Sequence, residues 1–181
     1  MIEIPFTDEM VRESYHLAKK LGSIKNSITS GGGNRAGYLG ELAVSDYINA
    51  EHVSCDWGED KYNRDLVLKN KNFEVKTKRR TVDPRSNYDA SVADTSKHQK
   101  TDYYIHLSIT FASHQGRKIY YNPSKIWLCG IISKEDYFAQ SKIWSEGDVD
   151  DSNDFKTHVK MHNLPYNKLI SASDFFKKFN P

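Results

Sequence analysis

Nine residues without a glycine, a proline or a formal charge, "YYIHLSITF" over 103–111, commit this chain to a sheet. Side chains alternate along a strand, so Tyr103, Ile105, Leu107, Ile109 and Phe111 take one face and Tyr104, His106, Ser108 and Thr110 the other. The β-branched and aromatic content suits a pleated, packed surface. A strand with one wholly apolar face needs a layer to cover it, and the flanking sequence has to supply that layer.

Helical patterns do so. Residues 7–20 read as a helix opened by Thr7 or Asp8, with acids in its first turn and Lys19 and Lys20 in its last. "AGYLGELAVSDYINA" over 36–50 reads as a helix buried around more than half its girth. Further helices are expected at 134–141 and around "SASDFFKKF". Strands are expected near 53–57, 64–68, 72–78, 118–121, 125–131 and 155–161, with "SITSGGGNRAG" and 81–100 as polar connections. The fold class is therefore α/β, a central mixed β-sheet flanked by helices. With 181 residues, 38% of them apolar, the chain can bury one core and is short for two, so a single domain over 1–181 is expected. Ile126–Ile132 is the longest strongly apolar uncharged run and is too short to cross a bilayer, and no targeting segment opens the chain. A soluble, cytoplasmic protein with no membrane partner is expected. Two cysteines, Cys55 and Cys129, lack zinc spacing and are expected as buried thiols.

Charge is uneven although the net value is only +2. Lys69, Lys71, Lys76, Lys78, Arg79 and Arg80 surround one acid, Glu74, while "SEGDVDDSND" at 145–154 collects compensating carboxylates. The run is either a basic patch for a polyanion or a solvated face. If 72–78 is a strand, Phe73 and Val75 point to the core and Glu74, Lys76 and Lys78 share the other face, about 7 Å apart. Upstream, "RDLVL" sets Asp65 at the head of another strand, and residues 69–72 suit a hairpin turn that brings Asp65 towards Glu74. Two ionised acids side by side repel, and a hard divalent cation offsets that cost. Glu41, on the flank of the 36–50 helix shared with Val44 and Ile48, borders a buried surface and needs a partner: a metal with its waters, or a plain salt bridge.

The order of these residues resembles the PD-(D/E)XK nuclease superfamily, the restriction-endonuclease-like fold. "GELAVSDYI" with Glu41 is similar to its first core helix, and "RDLVL" with Asp65 and "FEVKTK" with Glu74-Val75-Lys76 to its catalytic hairpin. Gln99 with Tyr103 is similar to a Gln-x-x-x-Tyr signature of some branches. The likeness covers about residues 36–110. Arg64 stands where the family often has proline. The tail resembles small phage-encoded members.

The resemblance implies a metal-dependent nuclease hydrolysing phosphodiester bonds in DNA, most naturally an endonuclease, acting alone or as a homodimer. Asp65, Glu74, the Val75 carbonyl and Glu41 would hold Mg²⁺, with Mn²⁺ able to substitute. Lys76 would orient the attacking water, or else simply pair with Glu74. Gln99 would position a water or phosphate, or be an ordinary polar residue at a helix end. Lys78, Arg79, Arg80, Lys97 and Lys100 would contact phosphates. A non-catalytic nucleic-acid-binding module on the same fold is the other reading.

Rival sites fail on pattern. His158 and His162, on an alternating stretch, would stand about 13 Å apart and share no ion. "DVDDSND" lacks the sixth-position glycine and the final glutamate of a calcium loop and reads as solvated. "SGGGNR" has no P-loop context and reads as a flexible loop leading into the Glu41 helix. No serine sits in a nucleophile elbow.

Overall fold

The structure, a computed structural model, describes residues 1–21, 33–53, 64–112, 122–150 and 155–179. Strand β1 (Ile2–Ile4) leads into helix α1 (Asp8–Leu21), whose first turn is closed by the Thr7 hydroxyl accepting from the Met10 N–H at 3.2 Å. Helix α2 (Asn34–Ile48) stops where Asn49 turns left-handed at φ 51°, and the N–H groups of Asn49 and Ala50 return to the carbonyls of Asp46 and Ser45. Then follow β2 (Glu51–His52), β3 (Leu66–Leu68), β4 (Lys71–Arg80), β5 (Asp89–Ala93), a 3₁₀ turn (Asp94–His98), β6 (Tyr103–Phe111) and β7 (Pro123–Ser133). Helix α3 (Lys134–Gln140), β8 (Lys142–Trp144), β9 (Val149–Asp150), β10 (Phe155–Lys156), β11 (Met161–Pro165), a second 3₁₀ turn (Tyr166–Lys168) and α4 (Ala172–Phe179) complete the described chain.

Six strands form one mixed sheet in the order β1-β7-β6-β4-β3-β2, in which β4 and β6 run parallel and the other pairs antiparallel. A second, three-stranded sheet, β5-β11-β8, lies apart from it in the pairing, and β9 and β10 make a small ribbon. The chain is thus mixed α/β with helices flanking a central mixed sheet. The first face of the sheet carries Phe73, Val75, Ile105, Leu107 and Ile109 against Leu39, Ala43 and Val44 of α2 and Phe175 of α4. Backbone approach is close there: a Cβ on Gly40 would lie 2.3 Å from the Thr77 hydroxyl oxygen, so only glycine lets α2 lie this near β4. The opposite face packs Tyr104 and Ile132 against Ala90 and Val92 of β5, Leu164 of β11, Tyr137 of α3 and Tyr166. Strand β6 is therefore buried on both faces, and the face expected to be polar, with His106 2% and Ser108 0% exposed, is interior.

The expected elements differ from these in a few places. The strand expected over 155–161 is broken, β10 ending at Lys156 and β11 starting at Met161, because the chain bends at 158–159. The polar connection 81–100 contains β5, whose small Ala90 and Val92 alternate inward too weakly to stand out. Short edge strands β1 and β8 were also not expected. Of the strand expected near 53–57, only Val53 is described, just past β2, and the one near 118–121, like Cys55 and most of the glycine-rich loop, lies outside the described residues. Cys129 is a buried thiol, pushed up to about 12 chiefly by its burial. Among the described residues no helix is long and apolar enough to cross a membrane.

Candidate active site

The hairpin of β3 and β4 turns through two residues, Lys69 and Asn70, both left-handed at φ 48° and 61°. Such a turn matches the twist of the strands it joins and fixes their register, Leu68 opposite Lys71, Val67 opposite Asn72 and Leu66 opposite Phe73. The next residue departs from that ladder. The Asp65 N–H also donates to the Phe73 carbonyl, at 2.8 Å, so two residues face one and the strand is bulged. The Asp65 side chain then continues the pairing where the backbone has left it, its Oδ2 accepting from the Val75 N–H at 2.7 Å.

Strand β3 pairs with β4 over Lys71–Phe73, and among the described residues no strand pairs with that edge of β4 from Glu74 onward. Because the Phe73 carbonyl and the Val75 N–H both point towards β3, the Val75 carbonyl shares that side by strand alternation, beside Asp65. Glu41 reaches this region from α2, and its Oε2 lies 3.1 Å from His52 Nε2. Glu74, 7% exposed, accepts on Oε1 from both Lys76 Nζ at 2.8 Å and Gln99 Nε2 at 2.7 Å, and Lys76 Nζ also reaches Gln99 Oε1 at 3.4 Å. Gln99 is carried there by the end of the first 3₁₀ turn, and its carbonyl accepts from the Lys134 ammonium.

Glu41, Asp65, Glu74, Lys76 and Gln99 therefore stand together. Burial pushes the Asp65 carboxyl well above the ordinary range, Glu74 and then Glu41 raise it further, and the Val75 N–H and Lys76 offset only part of this. Glu41 is raised by burial and by Glu74, with His52 opposing. Three carboxylates that repel in a dry place are short of positive charge. The donors are all hard oxygens, and Asp65 Oδ1 and Glu74 Oε2 carry no hydrogen bond among the described residues. In kind, this set fits Mg²⁺ or Mn²⁺. In arrangement it is not a ready cage: among the described residues no three His, Cys, Asp or Glu side chains converge as a metal-binding group, since Glu41 leans on His52 and Glu74 on Lys76.

Other residues fall differently from the expectation. Tyr103 stacks on Phe73 at 5.2 Å and meets Phe175 of α4, on the face away from Glu74. Tyr104 is the tyrosine beside the site, in register with Glu74, and its phenol is raised beyond the normal range by burial and by Glu74. His106 stands opposite Lys76, a placement that the alternation of its own strand does not reveal. It stacks on Tyr137, its Nε2 is buried without a partner, and burial with Lys76 and Lys78 lowers it to about 3. His52 likewise carried no sequence signal. The place of His106 depends on the pairing of β4 with β6, between distant segments.

The five cations proposed for phosphate do not form one patch. Lys78 and Arg80 share the Glu74 face but turn inward, Lys78 donating to Ser91 of β5 at 2.7 Å and Arg80 lying 4.5 Å over the Tyr88 ring. Arg79 leaves from the opposite face by alternation. Lys97 pairs with Asp94 at 2.8 Å, and Lys100 is exposed after Gln99. An open depression of about 430 Å³ is lined by Thr101, Asp102, Lys134 and Phe138 among others, and by none of Glu41, Asp65 and Glu74. His162 bonds Asp94 at 2.7 Å and His158 is exposed, so the two histidines share nothing, although the chain between them bends instead of running as one strand. Comparison with protein-family models, curated proteins and solved structures gives no match to this chain.

Proposed function

We propose that the protein is a metal-dependent nuclease of the PD-(D/E)XK kind, with a restriction-endonuclease-like core, hydrolysing phosphodiester bonds in DNA. One observation supports the reading: three carboxylates from three elements, Glu41, Asp65 and Glu74, lie close enough at β4 for Glu74 to raise the pKa of both Asp65 and Glu41, and Glu74 also holds Lys76 and Gln99 there.

Asp65, Glu74, the Val75 carbonyl and Glu41 would hold one or two Mg²⁺ or Mn²⁺ ions, and such an ion supplies Lewis acidity towards a phosphate oxygen and acidifies a bound water. Lys76 contributes what a carboxylate cannot. Its ammonium, aimed by Glu74 and Gln99, orients the attacking water and stabilises negative charge growing on the phosphate oxygens. Gln99 holds Glu74 and Lys76 in one geometry, leaving less to reorganise during the reaction. The bulge at Asp65 aims the second acid while its Val75 bond fixes the rotamer.

Incubating the protein with plasmid, single-stranded circles and a four-way junction, each in Mg²⁺, Mn²⁺ or EDTA, tests this. Metal-dependent cutting of one or more is expected, and absence of cutting in every metal would sink the enzyme reading. A non-catalytic nucleic-acid-binding module is favoured by one feature, the engagement of Glu41 and Glu74 by His52 and Lys76. Binding without cutting would establish it.

A further inference from the structure

Arg64 precedes Asp65 and belongs to none of the groups above. Its Nη1 donates to Asn72 Oδ1 at 3.0 Å. Asn72 lies on β4 two residues before Glu74, so both side chains leave the same face, about 7 Å apart. The guanidinium is thereby held on the Glu74 face of the sheet, beside the carboxylates. Its anchor is rigid. The Asn72 N–H donates to Asp102 Oδ2 at 2.9 Å, and the Asn72 carbonyl accepts from the Asp102 N–H at 2.9 Å and the Thr101 hydroxyl at 3.0 Å.

Two things are missing around this cation. Among the described residues no carboxylate forms an ion pair with Arg64, although Asp65 is its neighbour and Asp102 bonds its anchor, pairing with Lys71 instead. Its Nε is buried with no hydrogen-bond partner among the described residues. A partly buried guanidinium that spends one N–H on a neutral amide and leaves another dry is poorly satisfied by its own chain. With Nε buried, the end of the guanidinium, where an N–H of each Nη runs parallel to the other, is the part suited to a phosphate.

We propose that Arg64 grips a phosphate of the substrate backbone next to the one that is cut, and so sets the position of the strand against Glu74 and Lys76. The proposal rests on the nuclease reading. It makes Arg64 a positioning residue, and it names a substrate with at least two successive phosphodiesters.

The test is binding of a DNA duplex in Ca²⁺ by filter retention, across salt concentrations, with a matched set of duplexes each carrying one uncharged methylphosphonate. Wild type is expected to lose affinity when one phosphate near the cut is neutralised. Arg64→Ala should lower the slope of log K against log salt by about one unit and become insensitive at that phosphate alone, the other positions behaving as in wild type. Arg64→Gln, which keeps a donor for Asn72 and removes the charge, should give the same result and covers the case in which Arg64→Ala does not fold. Should the variants keep the wild-type slope and the wild-type methylphosphonate profile, Arg64 holds no phosphate while the nuclease reading stands. If wild type binds no nucleic acid at any salt, the nuclease reading falls and this inference with it.

Discussion

Asp94 and Asp65 are both aspartates at the ends of strands or turns on this sheet system, and their surroundings have opposite sign. Asp94 gathers Lys97 at 2.8 Å, His162 at 2.7 Å and Lys160 at 3.6 Å, and hydrogen bonds from Lys97 and then His162 hold its carboxyl well below the ordinary range. Asp65 gathers Glu74 and Glu41, is buried, and is held well above that range. The first cluster is finished: its one carboxylate meets cations that the chain itself supplies. The second holds three carboxylates against Lys76, with His52 on Glu41, and under the proposed function a metal ion would supply the remaining positive charge. Acidic residues in a structure are informative by what opposes them, and a group destabilised in its own fold is where a ligand is expected.

The largest effect expected from this difference is on cleavage. Asp65→Asn and Glu74→Gln should reduce the single-turnover rate in Mg²⁺ by on the order of a hundredfold or more, about 3 kcal/mol of transition-state stabilisation. Lys76→Ala should lose a similar factor while still binding metal, since an ammonium is no ligand. Asp94→Asn, judged per folded molecule, should cut at the wild-type rate. Equal losses from Asp94→Asn and Asp65→Asn would erase the distinction between the two clusters.

A second, smaller contrast is in melting temperature, where the signs should oppose. Removing an acid from the Asp65 cluster relieves repulsion, so Asp65→Asn should melt at or above the metal-free wild type and should lose the stabilisation given by added Mn²⁺. Asp94→Asn strips the 1%-exposed His162 of its carboxylate hydrogen-bond partner and should melt lower, with the Mn²⁺ response intact. An Asp65→Asn protein that melts far below wild type, neither responding to metal, would mark Asp65 as a structural residue.

Much of the second cluster could be read in the sequence because its parts are local. The helix bearing Glu41, the alternation that sets Glu74 beside Lys76, and a turn short enough to bring Asp65 back are all signals within about fifteen residues. What escaped depends on pairings between distant segments. The parallel register of β4 with β6 puts Tyr104, not Tyr103, next to Glu74 and His106 next to Lys76, and neither periodicity nor composition fixes such a register. Strand β5 hid because Ala90 and Val92 are small and its partner, β11, lies some seventy residues on. Its presence is why Lys78 turns inward to Ser91, and why Arg80 finds Tyr88 and Tyr166 rings where open surface was expected.

The pH dependence of stability sharpens the contrast further. For Asp65 the folded carboxyl titrates above its ordinary 3.8, so the folded state holds more protons than the unfolded chain in the interval above that value. Stability of the metal-free protein from this group therefore rises as pH falls through that interval, and Glu41 acts in the same sense above 4.5. Asp94, lowered, contributes stability that is present above 3.8 and is lost only below it. His106 opposes Asp65: kept neutral down to about 3 against an ordinary 6.5, it costs stability as pH falls across that window. Melting curves from pH 8 to 4 should show a steeper acid loss for Asp65→Asn than for wild type. His106→Phe, which keeps a ring against Tyr137, should show a shallower one. Parallel curves for all three would mean that neither group is perturbed in solution.

The smallest effect concerns Lys97, a cation near Gln99 in sequence but part of the finished cluster in space. Its ammonium is 2.8 Å from Asp94 and 5.5 Å from the centre of the Phe138 ring, so its charge is already opposed before any polyanion arrives. A cation committed to a carboxylate releases few counterions from DNA, because moving to a phosphate only exchanges one anion for another. Lys97→Ala should therefore change the slope of log K against log salt by well under the unit or so expected of a phosphate-contacting residue such as Arg64. The same filter-retention assay in Ca²⁺ measures both. A full unit lost with Lys97→Ala would show that bound DNA opens the Asp94 pair, and that the cluster built from Asp94, Lys97 and His162 belongs to the substrate path after all.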